Sequence, residues 1–210
     1  MSTVTFKPAV RKGSHVIITA YSESGGGKTL SLLLLGRGLV GPQGRMAMLD
    51  TETGRGMIYA GAVPGGYDYA ELTPPFTPER YVEAIADAEA AGYDAVILDS
   101  GSHEWIGIGG ILEIADEGKS KDGSPLSGLI KWARPKARHK RYVQALLNSR
   151  MHLLISLRAK EKMVQKGDKI VSEGYVPIQD KRFIFETTVQ LFLPVYADRR
   201  QLGIPIVEKC

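Results

Sequence analysis

Apolar residues along this 210-residue chain gather in short unbroken runs instead of alternating with polar ones. Four runs have strand length: 15–20 (HVIITA), 45–49 (RMAML), 94–98 (DAVIL) and 152–157 (HLLISL). Continuity of this kind predicts strands buried on both faces, as in a parallel sheet covered by helices. Between them the pattern turns helical, over 28–38, over 78–91 with Thr77-Pro78 as a start and Gly92 as a stop, and over 134–149. The alternation predicts an open, mostly parallel α/β sheet with right-handed crossovers, whose ligands belong at the carboxyl ends of the strands.

After residue 158 the character changes. The segment 162–172 (KMVQKGDKIVS) fits an exposed hairpin turning at Gly167-Asp168 and fits a mobile loop equally well. Residues 187–196 and 203–209 read as an antiparallel pair joined near Ala197-Asp198, with Pro194 and Pro205 at edge positions or bulges. One domain is expected over 1–210, with a core over about 15–195 and a C-terminal hairpin over about 187–209.

The strand at 15–20 and the helix at 28–38 are joined by a glycine-rich turn, and there the chemistry begins. The chain reads Ser22-Glu-Ser-Gly-Gly-Gly27-Lys28-Thr29, the phosphate-loop pattern G-x-x-x-x-G-K-[ST] with serine in place of its first glycine. Gly25, Gly26 and Gly27 free the backbone to turn its N–H groups onto an anion, and the following helix aims its N-terminus at the same point. Ser24 through Leu30 are therefore the candidate nucleotide cradle, with Lys28 reaching the β/γ-phosphates and the Thr29 hydroxyl on Mg²⁺. The strand 94–98 ends in Asp99-Ser100, and four apolar residues followed by an acid suit the carboxylate that orients the metal. The strand 45–49 ends in Asp50-Thr51-Glu52. Glu52, with the longer reach, is the candidate base for water, and Glu104 is its rival.

Composition narrows the setting more than the chemistry. The formal charge of +4 is a weak lean toward polyanions, so its distribution matters more than its total. Cys210, the sole cysteine, leaves no internal disulfide and fits a reducing compartment. The longest apolar run, Leu32 to Leu35, is too short to span a bilayer, and no signal-peptide stretch opens the chain; a cytoplasmic protein without membrane contact is expected.

Four pieces, YSESGGGKT (21–29), MLDTE (48–52), VILDS (96–100) and LLISLRAK (153–160), resemble the RecA-like recombinase ATPases, and among them the small phage-encoded single-strand annealing or recombination proteins. The resemblance covers roughly residues 15 to 195. It implies a P-loop NTPase fold with a RecA-like central sheet and antiparallel C-terminal strands. It also implies ATP and Mg²⁺ held by Lys28, Thr29 and Asp99, water activated by Glu52, and a host-cell cytoplasmic setting. Ser156 would sense the γ-phosphate where bacterial recombinases carry a longer amide, with Arg158 beside it. About fourteen residues precede the first strand, so no counterpart of the recombinase N-terminal oligomerisation helix is expected, although a homo-oligomeric ring or filament is still implied.

Single-stranded DNA is the implied partner. Residues 131–141 (KWARPKARHKR) hold six basic side chains, Lys131, Arg134, Lys136, Arg138, Lys140 and Arg141, besides His139. They follow a glycine- and serine-rich stretch, 118–128. Lys160 and Lys162 belong to a second polar loop, 158–169. A solvated helix face explains such a run as readily as a DNA contact does. Lys160, Lys162, Lys181 and Arg182 are candidates for a finger donated to a neighbouring subunit. The sequence leaves open a nucleotide-dependent assembly protein with little turnover, and a small-molecule kinase.

Overall fold

The computed structural model describes Pro8 and residues 14–120, 122–195 and 205–209. In chain order the strands are β1 (Ile17–Ser22), β2 (Met46–Asp50), β3 (Asp68–Glu71), β4 (Ala95–Asp99), β5 (His152–Lys166), β6 (Lys169–Pro177), β7 (Val189–Phe192) and β8 (Ile206–Lys209). The helices are α1 (Lys28–Val40), α2 (Pro78–Ala90), α3 (Ser102–Ile106), α4 (Ile111–Asp116), α5 (Ala133–Asn148) and α6 (Phe183–Glu186). The sheet runs β3-β2-β4-β5-β1-β7-β8, parallel throughout except for β8 against β7, and β6 pairs antiparallel with β5 beyond it.

The unbroken apolar runs are explained by two cores. Leu49, Val96, Leu98, Leu153, Ile155 and Leu157 face α2 and α5, meeting Tyr81, Ile85, Tyr142 and Leu146. Their sequence neighbours Met46, Met48, Ala95, Ile97 and Leu154 face the other way, onto Leu32 and Leu33 of α1. Side chains alternate across a strand, so burial on both sides demands apolar residues at every position. Leu153 and Leu154 are fully buried, and burial stabilises each by about 1.5–3 kcal/mol. The same alternation sends Asp50, Asp99 and Ser156 to the α1 side of the sheet, at its carboxyl edge.

Several expectations are met to within a residue or two, and other segments are longer or additional. The strand expected at 152–157 continues as β5 to Lys166, turns at Gly167-Asp168 with Gly167 at φ 62, and returns as β6. β3 is an additional edge strand, and the 3-10 helix Arg55–Ala62, α3 and α4 are further elements. The C-terminal antiparallel pair is present, with Pro194 just after β7 and Pro205 just before edge strand β8, and the pairing slips between Gln190 and Leu191. The junction near Ala197-Asp198 lies outside the described residues, as does Cys210. No helix among the described residues is long and apolar enough to cross a membrane.

Candidate active site

The glycine turn is built as an open cradle. Gly25 (φ 83) and Gly27 (φ 78) take left-handed backbone, and a Cβ on Gly25 would meet no atom within 4 Å. No side chain caps α1, so the N–H groups of its first turn, Lys28 to Leu30, are left for an anion. Ser22 fits in place of the pattern's glycine because Gly26 opposite has no side chain: a Cβ there would lie 2.2 Å from Ser22 Oγ. Ser24 is exposed on the outer turn. The Lys28 ammonium donates to Ser22 O (3.1 Å), Ser22 Oγ (3.1 Å) and Glu23 O (2.9 Å), folded into the loop it would serve. Burial lowers its pKa, while the charges of Asp99 and Glu52 work in the opposite direction.

Asp99 stands directly beside this loop. Its Oδ2 accepts from the Thr29 hydroxyl at 2.6 Å, and its Oδ1 accepts from the Ser156 hydroxyl. Burial raises the Asp99 pKa, against the pull of these two hydrogen bonds. A hydroxyl and one carboxylate at a phosphate cradle suit Mg²⁺, a cation that keeps several waters and takes its remaining oxygens from phosphates. Among the described residues no cluster of three or more His, Cys, Asp or Glu exists to cage a metal alone.

Glu52 emerges just past β2 and is clamped. Its Oε1 accepts from Arg158 Nε (3.0 Å) and Nη2 (2.8 Å), and its Oε2 from Arg55 Nη1 (3.2 Å). Asp50 is spent on structure, accepting from Gly56 N and the Tyr69 hydroxyl, both at 2.9 Å. Glu104 faces away from the edge: fully buried, it receives His139 Nδ1 at 3.0 Å and Gln179 Nε2 at 3.3 Å. Glu52 alone of the two candidate bases lines the open cavity of about 490 Å³ beyond the strand ends, with Thr51, Arg55, Phe76, His103 and Arg158.

Ser156, the expected sensor, is fully buried and occupied by Asp99, whereas Arg158, two residues on and on the same side of β5, reaches Glu52. The feet of the β5–β6 hairpin are bolted to the segment after Asp99. Arg158 N donates to Ser102 Oγ (2.9 Å), which donates to Ile178 O (2.7 Å). On the hairpin, register and alternation place Lys160, Lys162, Lys166 and Lys169 on one face, where Lys162 and Lys166 share Glu173 at 2.9 and 3.1 Å. Just before α5, Lys131 pairs with Asp116 (2.9 Å), and on α5 Arg138 pairs with Glu79 (2.5 Å), while Arg134, Lys136, Lys140 and Arg141 are exposed. Lys181 and Arg182 are exposed beyond the hairpin. Sequence reasoning missed Thr51, Ser102 and His103, although a histidine four residues past a strand-end acid is a signal worth testing.

The AAA domain family matches residues 14–201. No curated protein matches. A KaiC-like protein from the hyperthermophilic archaeon Pyrococcus horikoshii OT3 superposes with a TM-score of 0.51 at 12% identity, over 92% of this chain and 78% of that one, a likeness of fold alone. With a phosphate cradle, a strand-end acid on its threonine and the RecA-like sheet between them, the chain belongs to the AAA domain family and has the fold of a RecA-like P-loop ATPase.

Proposed function

We propose that this protein is an ATP-dependent, Mg²⁺-requiring single-stranded-DNA-binding protein that promotes annealing or strand exchange in phage homologous recombination. The observation that supports it best is a single strand. Successive same-side positions of β5 place Ser156 on Asp99, Arg158 on Glu52, and Lys160 and Lys162 on the hairpin beyond. Candidate nucleotide-site side chains and candidate polyanion-binding lysines thus share one strand. When bound, Mg²⁺ offsets charge on the phosphates, with Thr29 and Asp99 as its protein-side groups. Lys28 and the amides of 25–30 hold the triphosphate, and Glu52 takes a proton from the attacking water once Arg158 releases it. The hairpin lysines neutralise DNA phosphates without reading sequence, so log affinity falls with log salt by about 0.7 per phosphate contacted. A homo-oligomer, ring or filament, belongs to the same reading, with Lys160, Lys162, Lys181 or Arg182 as its trans-acting finger.

The clamp of two guanidinium groups on Glu52 favours a second reading, in which ATP organises an assembly and turns over slowly. ATP hydrolysis measured with and without single-stranded DNA, across a salt series, separates the two. Stimulation that fades with salt is expected. A flat rate with ATP still bound supports the assembly protein instead.

A further inference from the structure

Thr51, His103 and Phe76 form an ordered wall of the cavity beside Glu52 that neither the cradle nor the metal position uses. His103 lies in the first turn of α3 and stacks on Phe76, ring centroids 4.8 Å apart and planes 23° off parallel. Its Nδ1 lies 2.7 Å from Thr51 Oγ1. That oxygen already accepts the Ser100 N–H at 2.7 Å, and the hydroxyl's other acceptor, Ser100 O, is distant at 3.4 Å. Assigning the Thr51 hydrogen to Nδ1 places the ring proton on Nε2. Nε2 makes no hydrogen bond among the described residues, and His103 lines the cavity with Glu52 and Arg158. Burial, then the Arg158 charge, push the His103 pKa down, so the ring stays a neutral donor near pH 7.

We propose that His103 is a positioning residue that holds the attacking water with its Nε2–H while Glu52 accepts that water's proton. The proposal rests on the reading of Glu52 as the base. A nucleophilic water is fixed in direction only when a donor and an acceptor both engage it: an N–H takes one lone pair, a carboxylate one hydrogen, and the remaining lone pair is aimed. In the step, the water oxygen forms a bond to the γ-phosphorus and the bond from that phosphorus to the β,γ-bridging oxygen breaks. Its electron pair leaves on the diphosphate, and the water proton passes to Glu52. His103 keeps its own proton throughout.

The test measures kcat and KM for Mg²⁺-ATP hydrolysis, and nucleotide affinity with a fluorescent ATP analogue, in His103→Ala, His103→Gln, His103→Asn and Glu52→Gln. Alanine lowers kcat by roughly ten- to a hundredfold at unchanged nucleotide affinity. Glutamine, whose amide N–H extends to the Nε2 position, recovers much of that loss, and asparagine, which reaches only the Nδ1 position toward Thr51, does not. A wild-type kcat in the alanine variant overturns the proposal, and so do equal rates in the Gln and Asn variants, which remain informative if alanine fails to fold. Persistent turnover in Glu52→Gln overturns the base assignment, and this proposal with it. Loss in Glu52→Gln beside a normal His103→Ala removes the histidine role alone.

Discussion

Two segments of this protein carry similar runs of positive charge, the N-terminal half of α5 and the β5–β6 hairpin, and they are mounted differently. α5 lies over the sheet with Pro135, His139, Tyr142 and Leu146 buried, and part of the charge on it and just before it is answered internally, Arg138 by Glu79 and Lys131 by Asp116. Its exposed remainder, Arg134, Lys136, Lys140 and Arg141, stands on a helix packed one layer away from the strand ends. The hairpin grows out of β5 itself, its feet held by Ser102 and its first side chain, Arg158, on Glu52. Lys162 is six residues from Ser156, or about 20 Å along the strand. Charge alone therefore does not rank the two segments. What ranks them is how a pull on the segment would reach the carboxylates: the hairpin continues the strand that carries Ser156 to Asp99 and Arg158 to Glu52, whereas α5 is tied through His139 to Glu104, which does not line the cavity.

The largest effect expected comes from Lys28→Ala. Nucleotide binding should be lost, by a hundredfold or more, because the ammonium is the cradle's mobile cation, and any ATP dependence of DNA affinity should go with it. Hydrolysis near the wild-type rate would show that the glycine turn is no phosphate loop. Glu52→Gln comes next. Turnover should fall by about 10²–10⁴ with ATP still bound, freeing Arg158 from its ion pair, so that DNA binding in ATP is retained or tightened in an equilibrium assay.

Charge reversal then separates the two segments directly. Lys160→Glu with Lys162→Glu should weaken single-stranded DNA binding about tenfold and abolish stimulation of ATPase even at saturating DNA. Lys136→Glu with Lys140→Glu should weaken binding comparably and leave the saturated rate intact. Equal losses of stimulation in both pairs would mean that the hairpin has no privileged link to catalysis.

Asp99→Asn tests the rigid end of that link. The folded protein raises the Asp99 pKa above its unfolded value of 3.8, so this group favours folding at low pH and that contribution is lost as pH rises through the folded pKa. At neutral pH the buried carboxylate is a cost that Mg²⁺ would offset. The asparagine variant should melt a few degrees higher than wild type without nucleotide, with the gain vanishing in acid, while Mg²⁺-dependent hydrolysis disappears. A lower melting temperature at pH 7 would show that the hydrogen bonds from Thr29 and Ser156 outweigh the burial.

What the sequence made legible is what is chemically local. The glycine turn, the strand-end acids and the helix boundaries at Thr77-Pro78 and Gly92 each follow from a few adjacent residues. Ser22 looked like a missing glycine because its compensation, Gly26, works across the loop and not along it. β3 was hidden because DYAE is a short edge strand, largely exposed and with little apolar signal. The full hairpin was hidden because a strand exposed on both faces has no burial period to show. Glu104 and His103 are neighbours with opposite fates. One turns to His139 on α5 and the other to Thr51 beyond β2, and only the packing of α3 decides which way each goes.

The smallest expected effect concerns Arg138, a basic residue of α5 that the sequence groups with the candidate DNA contacts. Its guanidinium meets Glu79 with Nε at 2.8 Å and Nη2 at 2.5 Å, a two-point grip that ties α5 to the first turn of α2. The pairing holds the Glu79 carboxyl below the usual range, chiefly through that hydrogen bond. Both side chains are about a third exposed, at 32% and 40%, so water screens most of the attraction. Arg138→Ala should therefore cost about 0.5–1 kcal/mol in denaturant unfolding. Since folding holds the Glu79 pKa down, that contribution is present at neutral pH and is lost as acid protonates the carboxylate. DNA affinity should change less than in either charge-reversal pair, because a guanidinium committed to Glu79 has little left for a phosphate. A loss as large as that of Lys160→Glu with Lys162→Glu would mean that the ion pair opens on binding and that α5 reaches DNA through the residue its own fold holds back.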